Sequence, residues 1–321
     1  MARKSHNTLP DISATAGVSL STVYRVLRGG RKIGNPVHER VYRLLRENGF
    51  VNAAASPLLL VEPQNLSRHA HLLSRAFVES CERDRIHLHR TDEKDLRSAL
   101  EKFRPAGIVS LAELRELPPV PTVFLNCHSR RPETCEVAQN GQQNLTNLLR
   151  ALLDAGYRRI GCFFPETETV AWNRSQGDVH PESAFRAAGL DPASGLIYRK
   201  NVTVATHFDD CVAAARHFLS LAPVPEVIAL RSDTYMYAMT GYLGQCGSPL
   251  RLASADDSAY SSDADINFPE FRLAALGNLP AAAMADAALE LVCAAVTRSD
   301  FTPRKIWFDS HIHIYRKADE K

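Results

Sequence analysis

The 321-residue chain predicts two unlike parts: an all-α head of three short helices over residues 1–57, then an α/β body with parallel sheets over residues 58–321. Three observations carry this expectation. Near the N-terminus, apolar residues recur at helical spacing in three short runs. Positive charge gathers in the same stretch: residues 1–50 hold nine Lys/Arg against three Asp/Glu, a balance of +6, while the whole chain is +2 and the remainder therefore −4. Beyond residue 57, apolar runs of strand length alternate with helical patterns, which is how doubly wound parallel sheets read in sequence.

In the head, Thr8 is placed to cap a first helix, with Asp11 at capping-box spacing and Pro10 in the first turn, where the missing N–H costs nothing. Leu9, Ile12 and Ala16 share one face of that helix. Gly17 supplies a tight turn, and Ser19 caps a second helix whose Val23, Val26 and Leu27 form a buried stripe. Leu20, Ser21, Tyr24, Arg25 and Arg28 are left to face outward. That face is short and polar at the helix start and cationic after it, as suits a helix entering a DNA major groove. Asn35 and Pro36 open a third helix, buried through Val41, Leu44 and Leu45 and stopped at Gly49. Three such helices, with the second exposing a polar and basic face, make a helix-turn-helix.

The run DISATAGVSLSTVYRVLRG in this head resembles the N-terminal module of the lac/galactose repressor (LacI/GalR) family, with AGVS, STV and RVL in family register. The resemblance implies that Thr8, Ser19, Leu20, Ser21, Thr22, Tyr24, Arg25, Arg28 and Asn35 contact DNA, with Arg25 aimed at a base edge. It also implies a homodimer on a pseudo-palindromic, double-stranded operator. The family's hinge helix, which inserts a leucine into the minor groove, corresponds to Ala53, Ala54, Ala55, Ser56 and Pro57 here. Pro57 breaks a helix interior, and a strand over 58–61 follows at once, so hinge and linker are shorter than in the family. Leu58 or Leu59 is the candidate minor-groove wedge, but one residue cannot be both in a buried strand and between base pairs, so the resemblance and the strand reading compete here.

The body offers strands at 58–61, 86–89, 107–111, 122–126, 159–164, 196–199, 227–230 and 250–254. Helical patterns lie between them at 72–83, 95–103, 143–155 and 208–221. The family resemblance, carried by AGIVSL, VPTVFLN, Gln139-Asn140, DAGYRRIG, Ser232-Asp233 and Ala255-Asp256-Asp257, implies a body like periplasmic sugar-binding proteins, with two lobes closing on a ligand. Lobe 1 is expected over about 58–157 and 277–298, and lobe 2 over about 158–272 and 303–317. Carried over by position, the ligand groups are Asn140, Arg174, Asp233 and Asp256: carboxylates accept from sugar hydroxyls, and an arginine donates to them. The family's aromatic stacking residues after strand one fall near Ser67, Arg68, His69 and Ala70. His69 therefore takes the place of a ring, and an ordinary hexose is not the obvious ligand.

Other chemistries find less support. His311 and His313 share a strand face and could in principle hold a metal, and His69/His71 and His87/His89 have the same spacing, but none has a third ligand at metal-site spacing. Asp263, Asp265 and Asn267 lack the glycine and distal glutamate of a calcium loop. Seven scattered cysteines without a CxxC pair argue for reduced thiols. No apolar run is long enough to span a membrane, and MARKSHNTLP lacks the core of an export signal. No phosphate-binding loop, dinucleotide fingerprint or nucleophile elbow is present. The expected protein is a cytoplasmic DNA-binding regulator, a repressor in the family's manner, with no catalytic activity, cofactor, metal or membrane partner, answering to a small carbohydrate. The competing expectation is a cytosolic ligand-binding protein with a vestigial head.

Overall fold

The computed structural model describes residues 8–27, 36–48, 57–65, 67–127, 134–166, 179–203, 205–257, 273–297 and 302–315. The head has three helices, α1 (Leu9–Ala16), α2 (Leu20–Leu27) and α3 (Pro36–Glu47). Its start follows the sequence closely: the Asp11 carboxylate accepts from both the backbone N–H and the hydroxyl of Thr8, each at 2.6 Å. Gly17 closes α1 in the left-handed conformation, at φ 61°, which a Cβ would strain. Ser19 accepts from the N–H of Thr22 at 3.3 Å, capping α2 as expected. Ile12, Ala16, Val23, Val26, Val41 and Leu45 close into one small core.

The body contains two six-stranded sheets. In the first, β2 (Leu88–Asp92), β1 (Leu58–Glu62), β3 (Gly107–Ser110), β4 (Thr122–Leu125), β5 (Cys135–Gln139) and β11 (Lys305–Phe308) lie side by side, all parallel. In the second, the order is β7 (Ile197–Asn201), β6 (Ile160–Glu166), β8 (Val227–Leu230), β9 (Arg251–Asp257), β10 (Leu273–Asn278) and β12 (His311–Ile314). Only β12 runs antiparallel to its neighbour. Both sheets thus place their first strand between the second and the third, and the crevice of such a sheet opens at the carboxyl ends beside that strand.

Side chains alternate across each strand, so both faces need cover. Leu58 and Leu60 face the core made with α4 (Arg68–Arg83) and α10 (Ala281–Thr297), while Leu59 and Val61 face α5 (Leu96–Phe103). In the second sheet, Cys162 and Phe164 meet α6 (Gly141–Asp154) and α7 (Pro181–Ala187). Phe163, Ile228 and Leu230 meet α8 (His207–Ser220) and α9 (Thr234–Gln245) on the other face.

Sheet membership corrects the expected lobe boundaries. Helix α6 was expected in lobe 1, but its Leu145, Leu148, Leu149 and Leu152 are buried against the second sheet. Strand β11 was expected in lobe 2 and instead pairs with β5 of the first sheet. The chain crosses between halves just after β5, just after β10 and between β11 and β12. Two of these crossings are tied together: the Asn144 side chain donates to Ser310 Oγ at 2.9 Å and accepts the Ser310 N–H at 2.7 Å.

Strands β5, β10 and β11 and helices α7, α9 and α10 have no counterpart in the sequence reading, and the strand expected at 86–89 begins at Leu88. Local pattern hides them for identifiable reasons. Glu136 makes β5 look polar, yet it is buried and receives Lys305 Nζ at 3.1 Å from a strand 169 residues later. Strand β10 and helix α10 run together as alanine-rich sequence that carries neither a clear period nor a strong β preference.

Candidate functional sites

On the head, the start of α2 is open to solvent. Leu20 is 38% and Tyr24 42% exposed, and Thr8, Ser19 and Ser21 are also exposed, with Thr22 half-buried beside them. Ser19 Oγ lies 2.8 Å from Ser21 Oγ and 3.0 Å from Thr22 Oγ1, so the three hydroxyls form one polar patch at the helix N-terminus. There the unsatisfied N–H groups favour a phosphate oxygen. Arg25 lies within α2, while Arg28 and Asn35 fall outside the described residues.

Leu58 and Leu59 are not minor-groove wedges in this structure. Both lie within β1, 4% and 0% exposed. Their backbones pair with Leu88 and Gly107, and with His89 and Ile108. Their side chains enter two different cores on opposite faces of the sheet. Placing either between base pairs would unpack the first sheet.

Candidate ligand groups from both halves of the body meet at the carboxyl ends of strands. From the first half comes His69, in the first turn of α4, whose helix is capped by Ser67 accepting the Ala70 N–H at 3.2 Å. From the second come Asp256, near the end of β9, and Asp233, just after β8. His69 Nδ1 stands 3.1 Å from Asp256 Oδ2, with the two side chains 12% and 6% exposed. Asp256 is held rigidly, because Ser254 Oγ donates to its carbonyl at 2.6 Å and accepts its N–H at 3.2 Å. The Asp233 N–H also donates to that carbonyl, at 3.2 Å, joining the two acidic loops.

Burial opposes charging of the His69 ring, but the carboxylates of Asp256 and Asp233 outweigh it, and the pKa is raised. Arg231, buried directly before Ser232 and Asp233, has its pKa lowered by burial despite the opposing fields of Tyr235 and Asp256. The sequence reading passed over Arg231. The available signal was a cation bordering the wholly apolar strand VIAL, where a charge must sit at the sheet end. It also passed over His207, whose ring stacks on Tyr235 at 5.0 Å and whose Nε2 lies 3.3 Å from the Thr234 carbonyl.

The other expected ligand residues are placed differently. Asn140 caps α6 at a crossing point, its side chain accepting the Gln143 N–H at 3.2 Å. Arg174 lies outside the described residues, as do Asp263, Asp265 and Asn267. His311 and His313 are exposed on one face of β12. Among the described residues no three His, Cys, Asp or Glu gather into a metal-binding group, and no helix is long and apolar enough to cross a membrane.

No family model matches the sequence. The HTH-type transcriptional regulator CelR of Thermobifida fusca is 24% identical, covering 98% of this chain and 99% of its own length. The structure of a transcriptional regulator CelR–cellobiose complex superposes with a TM-score of 0.61 at 20% identity, over 97% of this chain and 99% of that one. A lac repressor dimer bound to operator and the anti-inducer ONPF gives a TM-score of 0.59 at 12% identity, over 98% and 99%. The chain is thus similar along nearly its entire length to a transcriptional regulator, on a fold shared with the lac repressor and beginning with the helix-turn-helix described above, in keeping with its resemblance to the lac/galactose repressor (LacI/GalR) family.

Proposed function

We propose that the protein is a homodimeric repressor that reads a pseudo-palindromic operator with α2 and changes its operator affinity when a small carbohydrate occupies the crevice between the two sheets. The observation that carries the effector half of this reading is the buried group of His69, Asp233, Asp256 and Arg231 at the carboxyl ends of the strands. Such a group is costly to bury and is retained where polar hydroxyls are to be recognised. Asn140 and Arg174 are further candidates by position. The relative whose structure is a complex with cellobiose supports a sugar-type effector, and the relative bound to operator as a dimer supports the DNA half. The exposed hydroxyl patch and Tyr24 on α2 supply phosphate and base contacts, and Arg25 a bidentate base contact. A regulator of transcription works inside the cell.

The test is selection of operators from random DNA with the purified protein, with and without a panel of sugars. A palindromic consensus is expected, with Arg25→Ala losing about 1–3 kcal/mol and relaxing one base pair per half-site. Equal losses on operator and random DNA would reduce Arg25 to a phosphate contact. Absence of any selected sequence would instead support a ligand-binding protein with a vestigial head.

A further inference from the structure

His69 and Asp256 belong to different halves of the body, one on α4 beside the first sheet and the other on β9 of the second. Between them is a bond from Nδ1 to Oδ2 at 3.1 Å, nearly sealed from solvent. The two halves are also joined, among the described residues, at the covalent crossings and by bonds beside them, such as Asn144 to Ser310. Neither residue of the His69–Asp256 pair is on a strand from which the chain crosses, although Asp256 lies beside the end of β10. The bond joins the mouth of one half to the mouth of the other, so opening the crevice must break it.

We propose that His69 is a tie across the crevice, holding the ligand-free body closed by occupying Asp256, the same carboxylate an effector would use. This rests on the reading of the crevice as the effector site and adds how that site is held before the effector arrives. It also accounts for a histidine where the family resemblance leads one to expect an aromatic ring. A phenyl ring could only stack on a ligand, whereas an imidazole can hold the opposite wall in its absence. The ring's other nitrogen, Nε2, is buried and has no hydrogen-bond partner among the described residues. An effector able to replace the tie would donate a hydroxyl to Asp256 and offer an acceptor oxygen to that nitrogen.

The tie should respond to pH, and the groups around it give the sign. Asp256 faces the ring from β9 and Asp233 from the loop after β8, both favouring the imidazolium, while Arg231 from that same loop acts on Asp256. Glu62 at the end of β1 is already engaged, by Ser74 Oγ at 2.6 Å and by Arg90 at 2.9 and 3.0 Å. On α4 itself, His71 is exposed. The folded-state pKa of His69 is raised above the ordinary 6.5. The charge-assisted tie is therefore fully present below about 6.5 and weakens as pH rises through the higher folded value. Above that, a neutral ring donates a weaker bond to a carboxylate that is no longer balanced by it.

The experiment needs neither operator nor sugar. On the full ligand-free chain, histidine ring titrations are followed by NMR and the radius of gyration by small-angle X-ray scattering, from pH 6 to pH 9. For the native protein, one ring assignable to His69 should titrate above 6.5, and the radius should grow over that same titration. Asp256→Asn, which keeps the shape but removes the charge, should lower that pKa and flatten the pH response. His69→Gln should be expanded already at pH 6. A radius independent of pH while His69 titrates, or a His69→Gln protein as compact as native at pH 6, would overturn the tie. Either result leaves the operator reading standing, and a failed operator selection leaves this measurement intact.

Discussion

On the head, Leu20, Ser21 and Tyr24 of α2 are exposed, Leu20 and Tyr24 by 38% and 42%, and the hydroxyls of Ser19, Ser21 and Thr22 stand within hydrogen-bond distance of one another. At the crevice, His69, Asp233, Asp256 and Arg231 are almost sealed, with His69 meeting Asp256 from another element and the Asp233 N–H donating to the Asp256 carbonyl. The difference suits the two ligands proposed above. Duplex DNA is a large, solvated polyanion that a surface can read without giving up its own hydration. A small polar molecule must be enclosed before its few hydroxyls can be distinguished, so the groups that read it are desolvated beforehand. Changes on the head should therefore cost binding with little loss of folding, and changes around the crevice should cost both.

The largest effect is expected at the floor of the crevice. A Cβ at Gly277 on β10 would stand 2.2 Å from the backbone carbonyl oxygen of Ala255, next to Asp256, where the β9–β10 register is irregular. Neither strand can yield without breaking its ladder, so Gly277→Ala should cost about 3 kcal/mol in urea unfolding of the body. Unchanged stability would show that β9 and β10 part freely there, and would weaken the picture of a rigid crevice.

A smaller loss is expected at the crossing. Asn144→Ala removes the acceptor of the buried Ser310 N–H and the donor to its hydroxyl, for about 2 kcal/mol. The same denaturation experiment checks this, and a neutral result would mean that water replaces both bonds, leaving the crossing wetter than the crevice.

The smallest stability effect belongs to the head. Tyr24→Ala should change thermal stability by less than about 0.5 kcal/mol, since the ring is 42% exposed, while weakening operator binding by about 1 kcal/mol. If the variant instead destabilises the head and leaves DNA affinity alone, the contrast between the two regions fails at its simpler end.

Most of the head was legible in the sequence because its signals are local. The Thr8–Asp11 cap, the Gly17 turn, the Ser19 cap and the stripe of Val23 and Val26 all act within a few residues of themselves, and each appears where the pattern put it. In the body the alternation of strands and helices was legible for the same reason, and so was the candidacy of Asp233 and Asp256 once the family resemblance was granted. Partnership was not. That Glu136 lies buried in a strand depends on Lys305, and that His69 meets Asp256 depends on two halves folding toward each other across 187 residues of sequence. Sheet membership of α6 and β11 likewise rests on which apolar face finds which core. Sequence by itself determined the caps, turn and stripe of the head and the broad alternation of the body, because capping, turns and periodicity are short-range physics. Tertiary structure alone decided which cores Leu58 and Leu59 enter and that a histidine spans the crevice, because core assignment and long-range charge pairing are properties of the assembled fold.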